Sequence, residues 1–377
     1  MQGDTRATSL SSQLSIIKDP RVKGRSDHLL SDILMISIMA MLCGAEDFVD
    51  FEDFGKAKEP WLKTFLALPH GIPSHDTFGR VFAAMDQRQF GEAFRNWTES
   101  LRCQISGEVV AIDGKTLRRS HDRSRGKSAI HMVSAWARDN GLVLGQVKVE
   151  EKSNEITAIP ELLRVLELAG CIVTIDAMGT QKTIAREIRD ADADYVLALK
   201  GNHEAVHEEV RSFFLDARQN AFAQTPHDFL ETVEKDHGRI ETRRYWVSDH
   251  IGWFQDRELW DGLQSFGMVE SLREINGQTT RELRFYLSSL SANARDFARA
   301  VRGHWGIENS LHWCLDVCFR EDDCRVRLGH AAENLAILRH FTLNILKRDS
   351  SKKRGIRGKQ KNASWDHSYL LSLLNFF

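Results

Sequence analysis

The spacing of apolar residues changes from a helical to a strand period near residue 105. Residues 1–105 carry apolar side chains at helical spacing, including the stretch LLSDILMISIMAMLCGA from Leu29 and PSHDTFGRVF, where Ser74 or Asp76 could cap a helix. We therefore predict a separate all-helical N-terminal domain over residues 1–105. PSHDTFGRVF could be a DNA recognition helix, although a compact helical domain with no role in DNA binding explains it equally well.

Short apolar runs typical of strands follow residue 105. EVVAIDGKTLR, AIHMVSAWARD and GLVLGQVKVEE predict three strands, and Asn140-Gly141 is a strong signal for an antiparallel hairpin. Helical patterns then alternate with the strand patterns CIVTID and DYVLALK, which implies right-handed crossovers and parallel pairing. The predicted fold is α/β, a ribonuclease H-like mixed five-stranded sheet with helices on both faces.

A β-rich insertion is predicted between about residues 202 and 290. A helical pattern, HEAVHEEVRSFFLDARQ, is followed there by the strand-like segments GRIETRRYWVSD and RELRFYLSSL. The core resumes in a long helical pattern from Ala292 to Phe319. We therefore predict a catalytic domain over residues 106–345, with the insertion inside it, and a basic C-terminal tail over residues 346–377.

Two of the apolar runs stop on an aspartate. Asp113 ends the apolar part of the first strand and Asp176 ends the strand CIVTID. In the predicted sheet these strands lie side by side, so the two carboxylates would repel each other unless a cation lay between them. For either residue alone, a turn former or helix cap is the more common interpretation, and the presence of both on apolar strands argues against it.

A third carboxylate, Glu308, lies within the long helical pattern. His304 and His312 are four residues to either side of it, so all three share one helix face with Leu311 and Leu315. A carboxylate on a largely apolar face is costly to bury alone, which makes Glu308 a candidate metal ligand. An ion pair with Arg302 or Arg299 remains the alternative. The helical zinc motif HExxH is absent, so we interpret the histidines as DNA contacts or as partners of the metal ligands.

Composition is that of an ordinary soluble protein, with 42% hydrophobic and 28% charged residues among 377 and a net charge of −2. The longest apolar stretch is interrupted by Asp32 and falls short of the about 20 residues of a membrane span. No secretory signal pattern follows Met1, so we expect a cytoplasmic, nucleoid-associated protein. Cys314, Cys318 and Cys324 fit no paired zinc pattern.

Basic residues are concentrated in two segments. Residues 115–127 carry six Lys or Arg against one Asp, and residues 347–361 carry eight against one Asp. The second segment could simply be solvated. The first follows Asp113 directly, so a phosphate that approached this carboxylate would also meet those cations.

Five segments, in order, resemble one known family. AIDGKTLRRS, TIDAMGTQ, LKGNH, HGRIETRR and HWGIENSLHWCLDVCFREDDCRVRLGHAAENLAILRH are similar to the H-repeat-associated (ISAs-type) bacterial insertion-sequence transposases, a branch of the DDE transposases. The resemblance covers nearly the whole chain. It implies a ribonuclease H-like fold with a β-rich insertion, and a catalytic and metal-binding triad of Asp113, Asp176 and Glu308.

One departure from the wider superfamily concerns the residues around the glutamate. Many related transposases carry a Tyr seven before it, an Arg four before it and a Lys seven after it, where this chain has Val301, His304 and Leu315. Those roles would fall to other residues if they are needed. Basic residues available nearby are Arg302, Arg320, Arg325 and Arg327.

The expected activity is metal-dependent DNA transposition. Carboxylate oxygens suit Mg²⁺ or Mn²⁺, and two ions could serve the attack of water at the element's end and then of the freed 3′-hydroxyl on target DNA. Asp113 would bridge the ions, and Asp316 or Glu321 would replace Glu308 if that assignment failed. The expected DNA contacts are Lys115, Arg118, Arg119, Lys200, Arg239, Arg302, His304 and His312.

The expected partner is double-stranded DNA, both the terminal inverted repeats and the target, bound by a homodimer or a larger assembly. Sequence-specific contacts are expected from residues 1–105, where Ser74, His75, Thr77 and Arg80 stand at a predicted helix start. Two alternatives remain open: a metal-dependent nuclease that only hydrolyses DNA, and a domesticated DNA-binding protein without catalytic activity. The intact triad argues against the second.

Overall fold

The computed structural model describes residues 10–22, 24, 26–121, 128–150, 154–236 and 238–375. Its strands are β1 (Val109–Leu117), β2 (Ile130–Ala137), β3 (Leu142–Lys148), β4 (Ile172–Ile175), β5 (Asp194–Leu199), β6 (Asp228–Asp236), β7 (Arg239–Ser248), β8 (Ser265–Ile275) and β9 (Gln278–Ser288). In this described part of the chain, nine strands form one sheet in the order β3-β2-β1-β4-β5-β9-β8-β7-β6.

The first five strands pair as the alternation of patterns predicts. β1, β2 and β3 form an antiparallel meander, and the turn before β3 uses Gly141 at a φ of +65°, a left-handed conformation that glycine adopts without strain. β4 pairs in parallel with both β1 and β5. Ile112 of β1 lies opposite Ile175 of β4, so Asp113 and Asp176 are the next residues along two neighbouring strands.

The sheet does not end at β5, as the predicted five-stranded sheet would. It continues into the strands of the predicted β-rich insertion. β9 pairs antiparallel with β5, with Leu197 opposite Leu287, and β8, β7 and β6 extend the same sheet. The open edge of β5 would otherwise expose unpaired backbone N–H and C=O groups, and β9 satisfies them. The mixed α/β class is confirmed.

Helices cover both faces of this sheet. Those between residues 149 and 320 are α6 (Glu155–Leu163), α7 (Lys182–Asp190), α8 (Glu204–Gln219), α9 (Ala294–Ile307) and α10 (Trp313–Phe319). α9 packs on β1, β4 and β7, and its Phe297 ring lies 5.4 Å from the ring of Tyr286 on β9. We call this side the α9 face. α6, α7 and α8 cover the opposite face, where Phe214 of α8 lies against Phe285 of β9.

The N-terminal segment is helical, as predicted. Its helices are α1 (Leu10–Leu14), α2 (Leu30–Leu42), α3 (Phe48–Leu62), α4 (His75–Ala84) and α5 (Gln87–Leu101). Ser74 is the N-cap of α4 and accepts a hydrogen bond from the backbone N–H of Thr77. Another helix, α11 (Ala331–Arg348), packs against α2, α4 and α5, so residues far along the chain complete this core.

The C-terminal segment that we expected to be a basic tail folds as α12 (Ile356–Trp365) and α13 (His367–Asn375). Lys359 is buried, and its ammonium donates a hydrogen bond to the carbonyl of Leu346 at 2.8 Å. Leu370 and Leu373 belong to the main hydrophobic core. No helix within the described residues is long and apolar enough to cross a membrane.

Candidate active site

Asp113 and Asp176 line one cavity on the α9 face together with Glu308. The cavity has a volume of about 440 Å³. β4 stops at Ile175 whereas β1 continues to Leu117, so the cavity lies where β1 loses its neighbour. The two strands and α9 therefore bring together three carboxylates that are far apart in the sequence.

Asp176 is held by the turn that follows β4. Its Oδ1 accepts hydrogen bonds from the backbone N–H groups of Met178, at 3.0 Å, and Gly179, at 3.3 Å. The Thr180 hydroxyl donates to the carbonyl of Ala198 on β5, which ties the turn to the next strand. This arrangement combines the turn-forming role of an aspartate with a fixed carboxylate, so the two interpretations of Asp176 are compatible.

Glu308 lies where α9 changes its helical winding. A single π turn covers Glu308–His312, and the N–H of Trp313 donates to the carbonyl of Glu308 five residues earlier. Such turns are frequent at functional sites because the extra residue redirects the side chains around it. The Glu308 side chain is exposed at the cavity, and within the described residues it makes no hydrogen bond or ion pair.

The cavity has excess negative charge around Asp113. Burial is the main cause that raises the pKa of Asp113 to about 7. The nearby carboxylates of Asp176, Glu155 and Glu308 contribute to this rise, and a backbone hydrogen bond opposes it. His312 approaches Asp113 with Nδ1 3.6 Å from Oδ2. Burial and then Lys115 lower the pKa of His312 to about 4, so it is neutral at pH 7 and does not offset this charge.

The donor set fits a hard divalent cation, because it offers carboxylate oxygens without a neutralising partner. No three His, Cys, Asp or Glu side chains among the described residues are already close enough to share one ion. Glu308 makes no hydrogen bond or ion pair within the described residues, so no partner holds its side chain in place. The cysteines are all free thiols, and none joins such a group.

Glu155, in the first turn of α6, is a fourth carboxylate near Asp113. Its Oε1 lies 2.5 Å from Nε2 of His131, whose Nδ1 lies 2.8 Å from the hydroxyl of Thr116. This pair occupies the space that a Cβ atom on Gly114 would need, so a side chain at that position would collide with it. Neither Glu155 nor His131 was predicted as a site residue. The glycine directly after Asp113 could have indicated that other side chains approach the backbone closely at this position.

Two predicted DNA contacts border the same cavity. His304 lines it, and its Nδ1 lies 3.1 Å from the hydroxyl of Thr174 on β4. Lys200, directly after β5, is exposed at the cavity. Arg284 and Trp305, which no sequence pattern indicated, also line the cavity, and they stack with 4.3 Å between the guanidinium carbon and the ring centre.

Lys115 does not fit the predicted role of a phosphate contact. Its side chain is only 11% exposed, and its ammonium pairs with Asp316 at 2.6 Å, Glu321 at 3.0 Å and Asp322 at 3.1 Å. The same pairs occupy Asp316 and Glu321, the residues that we named as substitutes for Glu308. All of these groups therefore stabilise the protein around the site.

The four remaining predicted contacts are arginines that keep exposed side chains while pairing with one carboxylate or more. The pairs are Arg118–Asp322 and Arg119–Asp323, both at 3.1 Å, Arg239–Glu241 at 3.2 Å and Arg302–Glu234 at 3.0 Å. Arg118 is the most exposed, at 80%. Arg119 faces a cavity of about 630 Å³ that Arg80 and Arg325 also line.

Two family models match the chain. Residues 105–345 match the transposase DDE domain, and residues 11–98 match the family described as DDE_Tnp_1-associated. The chain therefore belongs to the DDE transposase family. Members of this family generally use a divalent metal ion, which agrees with the oxygen donors of the cavity.

Relatives of this DDE transposase align over nearly its whole length. The H repeat-associated putative transposase YhhI of Escherichia coli strain K12 is 42% identical over 370 residues, which are 97% of this chain and 97% of that protein. Putative transposase YncI of Escherichia coli O157:H7 is also 42% identical, over 97% of this chain and 94% of its own.

One solved structure, a cryo-EM structure of the piggyBac transposase synaptic complex with hairpin DNA, matches 98% of this chain and 77% of its own. The TM-score is 0.44 at 10% identity, which is too weak a likeness to identify a fold.

Proposed function

We propose that this transposase nicks DNA at the ends of an insertion element and joins the freed 3′-hydroxyl to target DNA. The observation that carries the proposal is the cavity shared by Asp113, Asp176 and Glu308, where burial and, to a smaller extent, the neighbouring carboxylates raise the pKa of Asp113. We also propose that β1 to β5, in the order β3-β2-β1-β4-β5, are a ribonuclease H-like core.

Each carboxylate has a distinct place in this proposal. Asp113 would be the central metal ligand, and Asp176 and Glu308 would complete the ligand set. When bound, Mg²⁺ or Mn²⁺ would activate the attacking oxygen and stabilise charge on the leaving oxygen. The turn after β4 fixes Asp176 beforehand, whereas the unpaired Glu308 can adjust.

The basic groups around the cavity would hold the DNA. Lys200, His304 and Arg284 line the cavity beside the carboxylates, where they can donate hydrogen bonds to phosphate oxygens. Water then attacks the scissile phosphodiester and releases a 3′-hydroxyl, which attacks a target phosphodiester in the second step. Two element ends must be joined, so we propose that at least two copies of the chain assemble on double-stranded DNA.

The experiment that tests the proposal incubates the purified full chain with Mg²⁺, a labelled DNA fragment that carries the element's end, and a target plasmid. Asp113→Asn, Asp176→Asn and Glu308→Gln should each lower nicking and joining by roughly a thousandfold, because an amide keeps the shape but loses the charge that holds the ion. Glu161→Gln, on the exposed side of α6, is the control and should retain activity.

Two outcomes would change the assignment. If the Glu308→Gln protein cleaved at a near-normal rate, the third ligand would lie elsewhere, and it would have to be released from another pair, because Asp316 and Glu321 are paired with Lys115 and Glu155 is paired with His131. Nicking without any joined product would favour the nuclease alternative. DNA binding without either reaction in the wild-type protein would favour the inactive DNA-binding protein.

A further inference from the structure

A second cavity continues the candidate active site across the outer strands. It has a volume of about 260 Å³ and lies on β7, β8 and β9. Glu282, Arg284 and Trp305 line both this cavity and the one that holds the three carboxylates. The two cavities are therefore adjacent and share these three side chains, and we call the outer cavity the arginine groove.

The arginine groove lies on the α9 face of the sheet. Tyr245, Val269 and Tyr286 of β7, β8 and β9 pack with α9 in one apolar cluster. Side chains alternate between faces along a strand, so residues an even number of positions away from these point to the same side. That set includes Glu241, Arg243, Arg273, Glu282 and Arg284.

The groove carries three arginines against two glutamates. Arg273 donates to Glu241 at 3.0 Å through Nε, and Arg284 donates to Glu282 at 2.8 Å through Nε. A guanidinium has five N–H donors, so pairing with one carboxylate leaves donors for a second anion. The Arg273 side chain is 45% exposed, which allows such a contact.

The opposite face of the same strands also carries a cluster of arginines, but these surround a buried glutamate. Glu270 is buried there, with 1% of its side chain exposed, and pairs with Arg218, Arg244 and Arg281 at 2.6–3.2 Å. Those arginines surround a buried carboxylate and stabilise the packing of α8 on the sheet. That face is also separated from the three carboxylates of the candidate site by the sheet itself.

We propose that the arginine groove binds the phosphate backbone of the DNA strand that leads away from the scissile phosphodiester. This inference rests on the proposed function, since it needs a DNA phosphodiester at Asp113, Asp176 and Glu308. The groove adjoins those carboxylates at Arg284 and Trp305. Arg243 is buried between Glu234 and Glu241, so Arg273 and Arg284, with 45% and 34% of their side chains exposed, are the arginines that can meet a phosphate. Contacts of this kind are independent of DNA sequence and weaken as salt rises.

The test measures DNA binding separately from catalysis. The full chain carrying Asp113→Asn, without metal, is titrated with a short fluorescent duplex of random sequence over a series of salt concentrations. Arg273→Gln should weaken binding and make the plot of log Kd against log salt shallower by about one, the value for one lost phosphate contact. Arg273→Lys retains the charge and should retain the slope.

Arg281→Gln is the matched control, because Arg281 is 51% exposed, pairs with one glutamate and lies one register position away on the opposite face. It should leave the slope unchanged. A second pair keeps every arginine: Thr280→Glu adds a carboxylate inside the groove, and Thr279→Glu adds one on the other face. Only Thr280→Glu should weaken binding.

The outcomes separate the two proposals. Equal effects of Arg273→Gln and Arg281→Gln on DNA binding, or no effect of Thr280→Glu, would overturn the groove assignment. The proposed function would remain intact if the protein with wild-type groove residues still bound DNA. A chain that bound no DNA at all, with wild-type residues in the groove, would overturn both. Thermal unfolding midpoints close to that of the parent protein show that each variant is folded.

Discussion

Lys115 connects two segments that lie 206 positions apart in the sequence. Burial disfavours its ammonium, but Glu321 and Asp316 outweigh that cost and raise the pKa of Lys115 above its ordinary value. Glu321 is itself 2% exposed, so each charge depends on the other. The pair fixes α10 and the loop after it against the end of β1, which carries Asp113.

Lys115→Met should therefore lower the free energy of unfolding by about 3 kcal/mol, because it removes one of the two cations paired with the buried Glu321 and leaves only Arg339. The measurement is urea unfolding of the full chain. Arg118→Gln, three residues along and exposed, is the control and should change stability by no more than about 0.5 kcal/mol. Equal stability of the two variants, with weaker DNA binding by Lys115→Met, would return Lys115 to the role of a phosphate contact.

The sequence predicted individual site residues where a local pattern of apolar residues marked their positions. Asp113 and Asp176 stand out because each ends an apolar run, and the cavity contains both. The ion pairs of Lys115 were not predictable, because its sequence neighbours are basic whereas its partners come from a segment about two hundred positions later. Local charge therefore did not indicate the environment of the side chain in the fold.

α9, which carries His304 and leads into Glu308, packs closely against β1 because Gly303 has no side chain. A Cβ atom on Gly303 would lie 2.6 Å from Cγ1 of Val109 on β1. Gly306, one turn further along, has room: its Cβ would meet only Nε1 of Trp136, at 3.9 Å. Gly303 thus sets the distance between α9 and the strand that carries Asp113.

Gly303→Ala should destabilise the protein by roughly 1–3 kcal/mol and lower DNA nicking, because α9 must move away from β1. Gly306→Ala makes the same chemical change in the same helix and should be neutral or stabilising by up to about 1 kcal/mol. Thermal unfolding and the nicking assay together measure both effects. A stabilised, fully active Gly303→Ala protein would show that the contact with Val109 is not limiting.

The helices and strands could be located from the sequence wherever the spacing of apolar residues was clear. The pairing between strands could not be predicted in the same way. The alternation of apolar residues located β1 to β5 to within a few residues, as in the predicted DYVLALK strand that is Asp194–Leu199 in the structure. Nothing local in β9 specifies that it pairs with β5, because any exposed edge can accept a strand. The π turn at Glu308–His312 likewise leaves no mark in a pattern that looks helical throughout.

At the scale of the whole molecule, the N-terminal helices and the DDE domain share a hydrophobic core. The ring of Phe341, on α11, lies 4.9 Å from Phe94 and 5.6 Å from Phe90 of α5. The Asn334 side chain, also on α11, donates to the carbonyls of Phe82 and Met85 at 2.8 and 2.9 Å. The predicted boundary at residue 105 follows a change of sequence period, whereas packing continues across it.

A fragment of residues 1–105 should therefore fail to unfold cooperatively on heating, since without α11 its aromatic core would face water. Circular dichroism against temperature is the measurement, with the full chain as reference. Phe341→Ala in the full chain should cost about 3–5 kcal/mol through the cavity that it leaves, whereas Phe65→Ala, at an exposed position, should cost much less.

Cooperative unfolding of the fragment would contradict this expectation and restore an independent N-terminal domain. Sequence-specific DNA binding by residues 1–105 stays a prediction, and shared packing determines how it must be measured. The full chain carrying Arg80→Gln keeps the core intact and changes one exposed side chain of α4. If this variant no longer distinguished terminal-repeat DNA from scrambled DNA, the loss could be attributed to Arg80 and not to unfolding.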